Sequence, residues 1–362
     1  MALPTGHLLY AQETSVLAVA FDAARLEVTG GPVPLTDGIF PGQFTVAGDQ
    51  ALAFVPRSTT IAVEGMLAWV DRAGRVTPFP QPRAQFETPR LSPDGRRVAV
   101  AVTNEGGGGD IWVYDADRPT RTRLTFEGAS AAGDPVWTPD GRRITYSAAT
   151  SGGEQLYWVT ADGSGKPERL VTSPTVQSPH SWSPDGKVLA IYERKEQGAL
   201  RDIWVLPMTA ERKPVPFLVT PFNERSPMFS PDGRWLAYVS DESGRDEVYV
   251  RSYAESGQKI PVSTEGGTDP VWSRNGRELF YRNGDSLLVA SVTMGTAFTV
   301  GKPEKLFDQQ MGLQGNPGTG SLNYDVSPDG RFVMIIPTGK NHELEVVLNW
   351  SEELKRRAPA TK

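Results

Sequence analysis

Apolar residues along this chain come in short alternating runs, not in helical stripes. Arg143-Ile144-Thr145-Tyr146-Ser147 alternates as a half-buried strand does. A Gly-rich loop, Ser151-Gly152-Gly153, leads to a second such run, Gln155-Leu156-Tyr157-Trp158-Val159. Ahead of both stands the extended Asp134-Pro135-Val136-Trp137, and behind them Glu168-Arg169-Leu170-Val171. The first two runs are joined by Thr138-Pro139-Asp140-Gly141. There proline presets φ, aspartate accepts from following amides and glycine takes the positive-φ position. Four short strands and tight turns predict one antiparallel sheet.

The unit repeats. Ser92-Pro93-Asp94-Gly95 and its variants return at Thr138, Ser183, Ser230, Ser273 and Ser327, with a decayed copy at Ala47-Gly48-Asp49-Gln50. Successive copies start between 43 and 54 residues apart. A period in the forties built from short strands is the signature of radially repeated sheets, a β-propeller. The residue just before the turn is Trp137, Trp182, Phe229 or Trp272, with Val46, Leu91 and Val326 in the other copies. Wedge packing between neighbouring sheets calls for such rings; an aromatic ligand platform is the competing reading.

At the ends, His7–Ala11, Val16–Phe21 and Pro32–Leu35 read as a unit lacking its first strand. Leu322–Val326, Phe332–Ile336 and Leu344–Trp350 read as a unit lacking its fourth. The expected fold is therefore all-β, a propeller of four-stranded antiparallel blades. Using every strand gives eight blades; seven is the next count and six the third. A single propeller domain is expected over 1–350, followed by a short basic tail, 351–362.

Charge narrows the partners. With 37 basic and 43 acidic residues, a net charge of −6 and no basic stripe, nucleic acid is not expected. The chain has no cysteine, which removes disulfides and thiolate metal sites. No run approaches the roughly 20 apolar residues of a membrane span, and Met1 to Tyr10 does not read as a signal peptide.

Trp182-Ser183-Pro184-Asp185-Gly186-Lys187-Val188-Leu189-Ala190-Ile191-Tyr192 and Phe229-Ser230-Pro231-Asp232-Gly233-Arg234-Trp235-Leu236-Ala237-Tyr238 resemble the TolB-type propeller repeat. Asp110-Ile111-Trp112-Val113-Tyr114-Asp115, Asp202-Ile203-Trp204-Val205-Leu206-Pro207, Ser240-Asp241-Glu242-Ser243-Gly244-Arg245 and Val347-Leu348-Asn349-Trp350 are similar to the C-terminal propeller region of bacterial eukaryote-like serine/threonine kinases. The second resemblance implies a sensing or docking role allied to a kinase, outside the cytoplasm if a membrane kinase carries it and cytoplasmic otherwise. It does not bring the kinase here. A kinase needs a phosphate-binding glycine loop, a strand lysine, a catalytic-loop aspartate and an Asp-Phe-Gly. Gly106-Gly107-Gly108-Gly109 has neither the spacing nor the setting of that loop and reads as a hairpin connection.

Other chemistry is sparse. His7, His180 and His342 are the three histidines, and only His180 falls on an innermost strand. A metal site is not expected, and no other cofactor is. No G-x-S-x-G elbow occurs. Paired carboxylates acting on a carbohydrate or peptide remain the enzymatic alternative. The turn aspartates Asp94, Asp140, Asp185, Asp232 and Asp329 recur once per unit, as turn-formers would and a single active site would not.

Four residues before each turn stand Gln43, Thr88, Asp134, Pro179, Ser226, Asp269 and Asn323; next come Phe44, Pro89, Pro135, His180, Pro227, Pro270 and Tyr324. These begin the innermost strands and so face the channel mouth. Proline merely starting a strand explains most of the column. The alternative is a polar ring of Asp134, His180, Asp269, Asn323 and Tyr324 that binds a peptide or small molecule. The sequence thus reads as a monomeric, non-catalytic scaffold for a protein or peptide segment.

Overall fold

Six of the repeated turns fold alike. At Ser183 the hydroxyl donates to Asp185 Oδ1 (2.6 Å) and accepts from the Val188 amide (3.0 Å). Asp185 also accepts from the Lys187 amide (3.1 Å), and the Gly186 amide donates to the Ser183 carbonyl (2.9 Å). The Ser92, Thr138, Ser230, Ser273 and Ser327 hydroxyls make the same contact to Asp94, Asp140, Asp232, Asn275 and Asp329. The aspartates are turn-closers, and the serine hydroxyl holds the Asp185 carboxyl below its usual range. The glycines sit at positive φ, 72° at Gly95 and 68° at Gly186. Gly186→Ala should cost about 1–2 kcal/mol for the left-handed backbone alone. Gly95→Ala should cost more, because its Cβ would stand 2.8 Å from Pro328 Cδ. Urea midpoints of the two variants check the order.

The computed structural model describes residues 2–3, 5–12, 15–36, 39–47, 51–56, 64–103, 108–126, 132–150, 153–195, 199–254, 257, 259–295, 297–310, 322–338, 345–348, 350 and 356. Gly106, Gly107, Ser151, Gly152, His342, the Gly48-Asp49-Gln50 turn, the Gln43 side chain and all of the 351–362 tail but Arg356 lie outside them. Among the described residues no helix is long and apolar enough to cross a membrane. The chain divides into two compact units, Val63–Thr338 and Met1–Ala62 with Gly339–Lys362.

In the larger unit five sheets are continuous in sequence. Blade 1 runs from Gln85–Leu91 to Arg121–Arg123, blade 2 from Ala132–Trp137 to Glu168–Arg169, and blade 3 from Val176–Trp182 to Val215–Leu218. Blade 4 runs from Arg225–Phe229 to Ile260–Pro261; blade 5 starts at Thr268–Trp272 and adds Glu304–Asp308 to its third strand. Blade 6 is composite. Its inner strands Tyr324–Val326 and Phe332–Pro337 come from one end of the unit, its outer strands Gly65–Val70 and Val76–Pro78 from the other. Phe332 pairs with Val70 and Pro337 with Gly65. Innermost strands contact their neighbours all the way round, blade 6 touching both blade 5 and blade 1.

The ring therefore closes at six, where strand counting favours eight. The reason is partner choice. Gly65–Val70, which follows the decayed Ala47 copy, pairs with Phe332–Pro337 from the far end of the unit. Ala51–Pro56 pairs with Ile39–Ala47 and Glu345–Leu348 in the smaller unit. That unit holds a second sheet built around His7–Gln12 and Ser15–Asp22, and its core gathers Leu9, Val16, Ala18, Leu52, Phe54 and Trp350. Among the described residues there are eight sheets, six of them in the ring.

Candidate functional site at the loop face of the channel

Each innermost strand begins on one face, here the loop face, and ends in a Ser-Pro-Asp-Gly-type turn on the other, the turn face. Near its start the strand bulges. In blades 1, 2, 4 and 5 the pairing register shifts across Thr88-Pro89, Asp134-Pro135, Ser226-Pro227 and Asp269-Pro270. The residue before each proline has φ between 51° and 54°, uncommon for a side chain with Cβ and a local cost of order 1–3 kcal/mol. The X-Pro pair thus does more than start a strand: it re-aims Thr88, Asp134, Ser226 and Asp269. Blade 3 differs, bulging at His180 alone between Pro179 and Ser181, and blade 6 keeps regular pairing at Tyr324.

Of the five residues read from sequence, Asp134 and His180 line one recess with Thr88, Arg90 and Leu322. Asp134 accepts from the Ser178 hydroxyl (2.6 Å). Tyr324, wholly buried, donates its hydroxyl to the Asp269 carbonyl (2.8 Å). The Asp269 carboxylate faces Arg282 (3.8 Å), and its burial raises its pKa against that charge. Asn323 is buried beside Leu322. The recess is narrow, about 10 Å³, room for one water.

Two further carboxylates, Glu87 and Glu154, feel the charge of Asp134. Glu87 accepts from Thr103 Oγ1 (2.8 Å), and Glu154 faces Arg194 (3.6 Å). Burial raises the pKa of both, and the charge of Asp134 adds to it. Among the described residues, however, no three acidic or histidine side chains stand close enough to hold a metal ion.

His180 is buried against Tyr192, ring centroids 5.1 Å apart. Burial, reinforced by the charges of Arg90 and Arg201, depresses its pKa to about 3. The ring is neutral, and its Nε2 has no hydrogen-bond partner. A group depressed from 6.5 contributes stability that is present above the unfolded value and lost as pH falls toward 3. Wild type should lose about 2 kcal/mol more than His180→Gln between pH 6.5 and pH 5. Urea unfolding at the two pH values measures the difference.

Arg90 is the residue that sequence reading missed. Its side chain is 10% exposed and crosses the channel axis. Nη2 lies 3.5 Å from the His180 carbonyl of blade 3 and 3.8 Å from Met228 Sδ of blade 4, while Nε faces Asp325 of blade 6 (3.9 Å). Nη1 has no partner, and neither have Thr88 Oγ1 and Arg282 Nε. Buried polar atoms without partners are rare and costly, so the meeting of Thr88, Arg90 and His180 from blades 1 and 3 in one recess marks a place that a ligand's polar groups could satisfy.

Residues 73–214 match the family described as TolB beta propeller domain. Among solved structures, the chain is similar to a putative TolB from Agrobacterium tumefaciens, at 22% identity and TM-score 0.59 over 76% of this chain and 99% of that one. It is also similar to TolB from Acinetobacter baumannii, at 17% identity and TM-score 0.51 over 95% and 82%. These likenesses establish the fold. No curated protein matches the chain.

Proposed function

We propose, from the premise that this chain carries a TolB-type β-propeller, that it is a non-catalytic scaffold binding a protein or peptide segment at the loop-face mouth. The carrying observation is the set of unpartnered buried atoms in the recess, Thr88 Oγ1, Arg90 Nη1 and His180 Nε2. A peptide main chain offers alternating donors and acceptors, the complement such a mixed set requires. The similarity of the Asp110–Asp115 and Asp202–Pro207 segments to kinase-associated propellers supports a sensing role beside a bacterial serine/threonine kinase. In a membrane kinase the mouth would face outside the cytoplasm.

Panning a phage-displayed peptide library against the chain tests the reading. A consensus should emerge whose synthetic peptide binds about tenfold or more weakly to Asp134→Asn and His180→Gln. Asparagine tolerates the positive φ at 134, so the first variant changes charge without changing the backbone. No consensus, or one indifferent to both variants, would remove the mouth from consideration.

One observation favours a second reading. Burial and the charge of Asp134 raise the pKa of Glu87 and of Glu154, and a carboxyl raised in this way suits a general acid acting on a glycoside or peptide. Turnover of such substrates that Glu87→Gln abolishes would replace the scaffold with a hydrolase.

A further inference from the structure

On the opposite, turn face the channel opens into a cavity of about 250 Å³. Its wall is a collar of rings from four consecutive blades, Trp137, Trp182, Phe229 and Trp272. The three indole N–H groups are already engaged, donating to the Arg90 carbonyl (2.9 Å), Thr145 Oγ1 (3.2 Å) and the Met228 carbonyl (2.9 Å). The collar therefore offers apolar ring surface and no free indole donor.

Among the described residues the charged side chains lining the cavity are Arg90, Arg274 and Asp325. Asp325 Oδ2 accepts from the Leu91 amide (2.9 Å) and serves both guanidinium groups, Arg90 at 3.9 Å and Arg274 at 3.6 Å. Two cations thus share this one carboxylate, and the other acidic group acting on Arg90 is Asp134 at the far mouth. Arg90 is nine-tenths buried and its Nη1 has no partner, whereas Arg274 is 40% exposed at the rim. A buried charge without a full set of partners is expensive. An incoming monoanion would compensate it through charge-assisted hydrogen bonds.

We propose that this cavity binds a carboxylate monoanion carried on a flat apolar body, its carboxylate meeting Arg90 and Arg274 and its body enclosed by the four-ring collar. Size agrees: a cavity of about 150 Å³ accommodates benzene, so the larger volume leaves space for a carboxylate. The site opens on the other face and shares only Arg90 and Val136 with the recess of the mouth, whose remaining polar groups, Thr88, Asp134 and His180, it does not use.

The test uses the full chain at neutral pH, with phenylacetate and its neutral isostere phenylacetamide as probes. Tryptophan fluorescence and calorimetry should both saturate with phenylacetate, and the amide should bind about tenfold or more weakly. Arg90→Gln should abolish the preference. Because that variant disturbs a buried pair, Arg274→Gln at the exposed rim is the safer measure and should weaken phenylacetate about tenfold. N-acetylphenylalanine binding more tightly than phenylacetate would trace the natural carboxylate to a chain terminus; weaker binding would trace it to a small free acid. Either order upholds the site. Equal affinity for acid and amide, or no saturation by about 10 mM phenylacetate, which means a Kd weaker than about 1 mM, overturns it.

Discussion

Phe332→Ala is expected to cost the propeller about 3–5 kcal/mol, seen as a fall in the urea midpoint without a change in folded ring content. Phe332 is fully buried where the composite blade meets blade 5. Its ring stands edge-on to Phe280 (5.1 Å) and Phe307 (5.7 Å) and 6.3 Å from Tyr324. Its backbone pairs with Val326 on one side and Val70 on the other. Truncation therefore opens a void at the seam where the two ends of the unit are stitched together. Val215→Ala, on the half-exposed outer strand of blade 3, should stay within about 0.5 kcal/mol. A loss under about 1 kcal/mol at Phe332 would mean that the seam does not hold the ring.

That seam also marks where the sequence stops being legible. The turns were readable because everything they need lies within six residues: Ser183, Asp185, Gly186 and the Lys187 and Val188 amides close the motif on themselves. Strand order within a blade followed from those turns. The pairing of Phe332–Pro337 with Gly65–Val70 has no local determinant, since either apolar run would suit any neighbouring edge. Repeat counting sees units; it does not see which end of the chain completes the last one.

The mouth was half legible for a similar reason. Aligning the copies four residues before the turn exposed Asp134, Asp269 and Asn323, but the strained pre-proline backbone there was not foreseeable. Two residues before the turn the copies read Arg90, Val136, Ser181, Met228, Val271 and Asp325. Two opposite charges in an otherwise mostly apolar column were a signal available in the sequence. Glu154, Arg194 and Arg282 lie on second or third strands and reach the mouth only through the three-dimensional arrangement of the blades.

That column carries the second large effect. Asp325→Ala should cost about 3–5 kcal/mol, because it strands two guanidinium groups, one of them deeply buried, and removes the acceptor of the Leu91 amide. Asp325→Asn keeps an acceptor for Leu91 while losing the charge, so its cost should be smaller. Arg90→Met should also cost less than Asp325→Ala, since Asp325 then still has Arg274 and the Leu91 amide. The double variant Arg90→Met/Asp325→Leu removes the pair without burying an unpaired charge, and should recover much of the loss. A double-mutant cycle by urea unfolding reads the coupling directly. Single costs that simply add would mean that Arg90 and Asp325 do not stabilise one another between their neighbouring blades. The buried guanidinium would then be held by its main-chain and sulfur neighbours alone.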